Sequence, residues 1–211
     1  MTLEEALRES GVIAIIRGVK PDEAVAIGEA LHGAGVRIVE VPLNSPDPYA
    51  SIAALAEAFH GRMVVGGGTV LTPEEVEAVA AAGGRLIVSP NANPEVIRRA
   101  VAKGLIAFPG FGSATEAFAA IDAGARHLKL FPASSYGVAH LKALRAVLPP
   151  DVIVAPVGGV GAGDMAEWRK AGAACFGIGS EIYKPGMAPA EVGRRAVELV
   201  RAEKAARAAR A

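Results

Sequence analysis

Short apolar runs recur along the chain and predict its strands. Each run is hydrophobic at nearly every position instead of alternating with polar residues, which is typical of strands covered on both faces, as in a parallel sheet. Eight such runs occupy positions 12–16, 36–41, 63–65, 86–88, 105–108, 127–131, 152–157 and 175–178. We therefore expect helices to flank these strands.

The segments between the runs carry helix start and stop signals. The starts combine proline or a small polar residue with acidic side chains, which cap a helix and suit the positive end of its dipole. They are Lys20-Pro21-Asp22-Glu23, Ser45-Pro46-Asp47, Thr72-Pro73-Glu74-Glu75, Asn93-Pro94-Glu95 and Ser113-Ala114-Thr115-Glu116. The predicted stops, where a left-handed cap follows an Ala-rich segment, are Gly35, Gly83, Gly104, Gly124 and Gly172. Positions 188–211 predict a last amphipathic helix with a solvated tip.

The spacing of the runs indicates the architecture. Their starts lie about 23 residues apart on average, close to the length that a strand and its crossover helix require. We therefore predict an α/β protein in which residues 1–211 form a single (β/α)8 TIM barrel. A leucine-rich solenoid has a similar period, but its fixed Leu and Asn positions are missing. An open doubly wound sheet remains an alternative, because a strand count does not prove closure.

Composition narrows the classes of partner. The 211 residues include 22 basic and 22 acidic side chains and carry a formal net charge of zero. This balance argues against nucleic acid and against an acidic membrane surface as partners. The one cysteine, Cys175, cannot form a disulfide framework. The charged start of the chain and the lack of a long apolar stretch predict a cytoplasmic protein.

Three charged side chains lie within the apolar runs or directly after them. Glu40 and Lys129 lie inside runs and Arg17 follows the first run, so all three fall near the carboxyl ends of strands, the catalytic face of a barrel. One interpretation is a structural ion pair of Glu40 with Arg17 or Lys129. The other is catalysis, since a desolvated lysine beside a cation has a lowered pKa and attacks carbonyl carbon while a carboxylate moves protons.

The histidines do not form a metal-binding pattern. His32, His60, His127 and His140 are scattered, and none pairs with another His or Cys at ligand spacing. We expect His127 to be a packed side chain and Cys175 to be a small buried hydrophobe. The sequence therefore predicts chemistry without a metal.

Glycine-bearing stretches accompany three of the predicted strands. They are Gly66-Gly67-Gly68-Thr69 after the third run, Gly158-Gly159-Val160 after the seventh and Gly177-Ile178-Gly179-Ser180 at the eighth. Glycine lets backbone N–H groups approach an anion closely, and the loops after strands seven and eight of such barrels bind phosphate. The last two stretches predict a phosphate site, where Lys or Arg is not needed if helix N-termini supply the positive potential. Tight turns without a ligand are the alternative.

Longer motifs resemble one enzyme family, and the resemblance covers the chain from Val12 onward. The motifs are Glu40-Val41-Pro42-Leu43-Asn44-Ser45, Gly67-Gly68-Thr69-Val70, Ser89-Pro90-Asn91, Gly124-Ala125-Arg126-His127-Leu128-Lys129-Leu130-Phe131-Pro132-Ala133-Ser134, Pro156-Val157-Gly158-Gly159-Val160 and Gly179-Ser180. They are similar to the class I aldolases that cleave 2-keto-3-deoxy-6-phospho sugar acids. The resemblance implies a (β/α)8 barrel that assembles as a homotrimer, needs no metal or other cofactor and handles a phosphorylated sugar acid and pyruvate.

The resemblance also implies roles for individual residues. Lys129 matches the lysine that forms the Schiff base, and Glu40 matches the acid and base that transfers protons. Arg17 and Thr69 match positions that hold the carboxylate end of the substrate. The implied phosphate-binding residues are Gly158, Gly159, Gly179 and Ser180.

Three departures from the phosphogluconate branch of this family concern specificity. Pro42, Asn44 and Val157 stand where that branch has Thr, Arg and Thr. They are similar to the phosphogalactonate branch, whose substrate is the C4 epimer, and we expect Val157 to face the substrate. The alternatives are the phosphogluconate substrate, a metal-free phosphosugar isomerase or epimerase, and a phospho-sugar-binding domain without turnover.

Overall fold

Parallel strands alternate with helices along the described chain. A computed structural model describes residues 1–209, and each strand pairing in it is parallel. The strands are β1 (Val12–Ile15), β2 (Ile38–Pro42), β3 (Val64–Gly68), β4 (Leu86–Val88), β5 (Ile106–Phe108), β6 (Gly110–Phe111), β7 (His127–Leu130), β8 (Ile153–Pro156) and β9 (Phe176–Ile178). The helices are α1 (Leu3–Glu9), α2 (Pro21–Gly33), α3 (Pro48–Ala58), α4 (Pro73–Ala81), α5 (Pro94–Ala102), α6 (Ala114–Asp122), α7 (Ala133–Arg145), α8 (Met165–Lys170) and α9 (Pro189–Ala208). The predicted α/β class is confirmed.

The strands form two sheet segments whose order follows the chain. One segment runs β5-β4-β3-β2-β1-β9 and the other β6-β7-β8, so the first strand lies beside the last. An open doubly wound sheet would instead reverse its strand order beside the first strand. At one boundary between the segments, a bridge joins Val157 to Gly177. At the other, Pro109 separates β5 from β6, because proline has no N–H to donate to a ladder. The result is a curled parallel sheet.

Two strands differ from the sequence prediction. The fifth predicted run is followed by the short strand β6, which the sequence does not predict. β3 continues through Gly66, Gly67 and Gly68, which the sequence predicts as a loop. Glycine is needed inside this strand, because a Cβ on Gly66 would overlap the backbone of Leu86 in β4. Gly66 therefore allows β3 and β4 to pack closely, and the three glycines lie in a strand and not in a turn.

Three of the five predicted helix starts carry a side-chain cap, whereas α2 and α3 begin without one. The side chains of Thr72, Asn93 and Ser113 accept hydrogen bonds from backbone N–H groups in the first turns of α4, α5 and α6. The five predicted stop glycines all have positive φ angles, between 68° and 107°. The predicted final helix is present as α9, and positions 210–211 lie outside the described residues. Within residues 1–209, no helix is long and apolar enough to cross a membrane.

Strand residues alternate between two hydrophobic layers. Ala14, Val39 and Val65 of β1–β3 pack outward against the helices. Their strand neighbours Ile13, Ile38 and Val64 face the other way and belong to an inner cluster. Leu3 and Ala6 of α1 belong to the inner cluster together with residues at the starts of strands. Because α1 covers the amino end of the sheet, the carboxyl end is left for a site.

The last helix is tied to the first. Glu203 of α9 is fully buried and accepts hydrogen bonds from Arg169 and, at 2.8 Å, from Arg207. Arg207 also donates to the carbonyl groups of Leu7 and Arg8 at 2.9 and 2.7 Å. A buried carboxylate without such partners would be strongly unfavourable. The contacts hold the end of α9 against the end of α1.

Candidate active site

Lys129 and Glu40 face the interior of the curled sheet. Lys129 lies in β7 between Leu128 and Leu130, which pack outward, so strand alternation turns the lysine inward. Glu40 lies two residues after Ile38 on β2 and shares its inward face. The exposed fractions of Lys129 and Glu40 are only 6% and 1%. Both ionisable groups therefore lie in apolar surroundings, where the charged form is costly.

Burial shifts the pKa of both groups. Desolvation raises the pKa of Glu40 from 4.5 to about 7, against the opposing effect of the positive charges of Lys129 and Arg17. Desolvation also lowers the pKa of Lys129; the Glu40 charge opposes this change and the Arg17 charge adds to it. A lysine that loses its proton more easily is a better nucleophile, and a carboxyl group that titrates near neutral pH can both give and accept a proton.

The two groups share a small inner cavity. Both line it, together with apolar side chains that include Ile13, Val88 and Phe108. Glu40 Oε2 is buried and has no hydrogen-bond partner among residues 1–209. A structural ion pair therefore does not account for the burial of this oxygen.

A larger cavity of about 340 Å³ adjoins the inner one, and Lys129 and Val157 line both. The structure brings eight of the nine predicted site residues to the larger cavity, and Glu40 alone of the nine lines just the inner one. The eight are Arg17, Thr69, Lys129, Val157, Gly158, Gly159, Gly179 and Ser180. Residues from five different strand ends thus converge on one space.

Two side chains hold Arg17 in the cavity wall. Its guanidinium donates hydrogen bonds to Asn44 Oδ1 and, at 3.4 Å, to Thr69 Oγ1. Thr69 has a φ of 57°, a left-handed conformation that is strained for a β-branched residue. Such strain persists where the surroundings fix a side chain in place. The guanidinium and the threonine hydroxyl together offer donors suited to a carboxylate.

The two predicted glycine loops form another part of the wall. Gly158 and Gly159 have φ angles of 93° and 79°, which a side chain would strain. The first N–H groups of α7 are already used by this loop, because Ala133 donates to the Val157 carbonyl at 2.8 Å and Ser134 to the Gly158 carbonyl at 2.9 Å. These two N–H groups of α7 are therefore not available to a phosphate, and a positive potential from the turns that follow β8 and β9 stays a prediction.

Three groups near the cavity were not assigned to the site from sequence. Lys184, an exposed lysine, lines the larger cavity in the irregular segment after β9, where no periodicity marks it. The Phe131 ring lies 4.8 Å from Lys129 Nζ, a cation–π distance. Asn44 was noted as a departure from a related branch, but its contact with Arg17 is visible only in three dimensions.

The predictions for His127 and Cys175 are confirmed. The His127 ring lies 5.5 Å from the Phe108 ring, and Cys175 is buried in the inner cluster. Burial raises the pKa of the Cys175 thiol to about 12, which leaves it unreactive. In the part of the chain that the structure describes, no three His, Cys, Asp or Glu side chains gather to hold a metal ion.

Similar proteins identify the family. Residues 3–194 match the KDPG and KHG aldolase family. A 2-dehydro-3-deoxy-6-phosphogalactonate aldolase from Escherichia coli (strain K12) is 48% identical over 191 residues, which are 90% of this chain and 93% of that protein. A solved structure called "Native KDPGal structure" has a TM-score of 0.92 at 47% identity and covers 93% of this chain and 96% of its own. A cube-shaped cage designed by fusing symmetric oligomeric domains has a TM-score of 0.93 at 46% identity, over 94% of this chain and 74% of the cage chain.

The resemblance drawn from the sequence motifs is therefore confirmed. The match extends over nearly the whole chain in both sequence and structure, and the relatives are carbon–carbon lyases. This chain belongs to the KDPG and KHG family of class I aldolases.

Proposed function

We propose that this aldolase cleaves 2-dehydro-3-deoxy-6-phosphogalactonate reversibly to pyruvate and glyceraldehyde 3-phosphate through a Schiff base on Lys129. The observation that carries the proposal is the pairing of Lys129 and Glu40 at one inner cavity. Desolvation lowers the pKa of Lys129 and raises that of Glu40 to about 7. One group can therefore act as a neutral amine while the other exchanges protons near neutral pH.

The reaction follows from these two groups. The neutral Lys129 amine adds to the C2 carbonyl carbon, and Glu40 protonates the departing oxygen, so that water leaves and an iminium forms. The Glu40 carboxylate left by this step accepts the C4 hydroxyl proton as the C3–C4 bond breaks, and the electron pair of that bond moves toward the iminium to give an enamine and the aldehyde. Proton transfer to C3 and hydrolysis release pyruvate and the free lysine.

The cavity wall fits the two charged ends of such a substrate. Arg17 and Thr69 offer donors for the carboxylate end, which must lie near Lys129 because C1 adjoins C2. The glycine loops with Ser180 fit the phosphate, and Lys184 lines the same cavity with a positive charge.

Val157 supports the choice of the C4 epimer. It lines both cavities together with Lys129, and it directly precedes the Gly158-Gly159 loop. Its side chain offers no hydrogen bond, so a substrate hydroxyl directed toward it would lose a water partner without gaining a protein partner. This disfavours one of the two C4 configurations. The related aldolase with 48% identity is named for the phosphogalactonate substrate.

We also propose that residues 1–211 form one domain and that the curled sheet is a closed (β/α)8 barrel. The Val157–Gly177 bridge and the hydrogen bond from Lys129 N–H to the Pro109 carbonyl at 2.8 Å support closure at both segment boundaries. The family resemblance favours a homotrimer, and the similar designed cage is built from symmetric oligomeric domains. Light scattering on the purified protein tests this assembly. A phosphorylated substrate does not cross membranes unaided, which favours a cytoplasmic enzyme.

Reductive trapping tests the proposed chemistry. Incubation with pyruvate and borohydride should add a covalent group at Lys129, located by mass spectrometry. Lys129→Ala should abolish this adduct, and Lys129→Arg should do the same because guanidinium keeps its proton. A pyruvate-release assay on the two C4-epimeric phosphorylated acids should show preference for the phosphogalactonate form. No adduct in the native protein would refute the aldolase mechanism and favour an isomerase or a binding domain.

A further inference from the structure

The Glu40 carboxylate lies directly against the backbone of Gly68. A Cβ on Gly68 would overlap Glu40 Oε2, and it would lie 2.6 Å from Glu40 Oε1, closer than real Cβ contacts allow. Both carboxylate oxygens therefore occupy the space that any other residue at position 68 would fill. The carboxylate and the glycine belong to adjacent strands, since β2 pairs with β3 up to Pro42 and Gly68.

The glycine at position 68 is required for space and not for backbone conformation. The φ angle of Gly68 lies outside the left-handed region, in contrast to that of Thr69, which follows it. An alanine could adopt this backbone conformation without strain. The conflict is therefore confined to the contact with the Glu40 side chain.

No hydrogen bond fixes the Glu40 oxygen that is closest to Gly68. Oε2 is buried and has no hydrogen-bond partner within the described residues, so its contact with Gly68 limits where it can lie. The inner cavity is lined by both Glu40 and Lys129. A displacement of about 1 Å at a catalytic group can cost roughly a hundredfold in rate. The wall behind Glu40 consequently controls the geometry of proton transfer.

We propose that Gly68 is the positioning residue for Glu40. Because Gly68 has no side chain, the Glu40 carboxylate packs against β3, and from this position Glu40 exchanges protons with the substrate bound to Lys129. The inference rests on the proposed function, because it assumes that Glu40 transfers protons. The proposal predicts that a glutamate at position 40 requires glycine at position 68, and that a shorter acid at position 40 tolerates a small side chain there.

A double-mutant cycle tests this match. Gly68→Ala should lower kcat by about tenfold to a hundredfold, shift the acid limb of the pH profile and leave the pyruvate adduct on Lys129 in place. Glu40→Asp withdraws the carboxylate by one methylene and should also be slow. The combined variant should be about tenfold faster than the product of the two single losses, because the shorter acid leaves room for the alanine methyl group. Gly163→Ala, at a position with open space around the Cβ, is the matched control and should behave as the native protein.

Stability measurements keep the proposal falsifiable if Gly68→Ala folds poorly. In a Glu40→Ala background the space is empty, and Gly68→Ala should then fold normally. Failure to fold in that background would overturn the proposal, as would an unchanged kcat and pH profile for Gly68→Ala or strictly additive losses. If the native protein itself forms no adduct with pyruvate, the proposed function fails instead.

Discussion

Replacing Glu40 with glutamine should remove a pH-dependent cost of folding. Burial raises the pKa of Glu40 from 4.5 to about 7, so the folded protein binds more protons than the unfolded chain between these pH values. Stability must then fall as the pH rises through this window. At about 1.4 kcal/mol for each pH unit, the ionised carboxylate makes the native fold about 3 kcal/mol less stable above pH 7. Glutamine stays neutral and avoids this cost.

Urea unfolding of both proteins at fixed protein concentration, from about pH 4 to pH 8, measures the effect. The difference in unfolding free energy should be constant below pH 4.5 and grow in favour of Glu40→Gln by about 3 kcal/mol at pH 8. Glu57→Gln makes the same chemical change at an exposed position and should show no such trend. The variant should also slow turnover by roughly 10²- to 10⁴-fold. A difference that stays flat across the pH range would refute the desolvation of Glu40.

Three further outcomes are expected. Val157→Thr should shift the ratio of kcat/KM for the two epimers toward the phosphogluconate epimer by about fivefold, as expected for one net hydrogen bond of ~1 kcal/mol. The control Val160→Thr, which also alters the cavity wall, should leave this ratio unchanged. Gly159→Val should raise KM for the phosphorylated substrate far more than it slows deuterium exchange into free pyruvate, and equal losses would point to a damaged fold. Lys184→Ala should raise KM for the phosphorylated acid by about tenfold, as expected for a lost contact between charged groups, and should leave pyruvate trapping intact. Lys170 is an exposed lysine of α8, and an equal effect from Lys170→Ala would contradict a specific contact between Lys184 and the phosphate.

The sequence predicts those structural features that depend on residues close together along the chain. Thr72 and Gly83 mark the two ends of α4, because caps act within one turn of the chain. Lys129 and Glu40 were identifiable because a charge within an apolar strand needs a special environment. The position of these charges on the chain was therefore enough to select them.

Other features depend on distant residues and were missed. The contact between Gly68 and Glu40 depends on the register of β2 against β3, and the sequence placed Gly68 in a loop. Lys184 lies in an irregular segment whose path is set by the surrounding fold. The extra strand β6 arises where Pro109 interrupts a ladder, and its partner β7 lies later in the chain. None of these contacts leaves a periodic pattern.

The hydrogen bonds from Arg207 to the end of α1 have a practical consequence for protein engineering. Because Arg207 donates to carbonyl groups at the end of α1, and α1 covers the amino end of the sheet, the two ends of the described chain lie on the face remote from the substrate entrance. A tag or fused domain at either end would extend from that rear face. The enzyme could accordingly be anchored to a support or scaffold near either end of residues 1–209, with its cavity open to the surrounding solution.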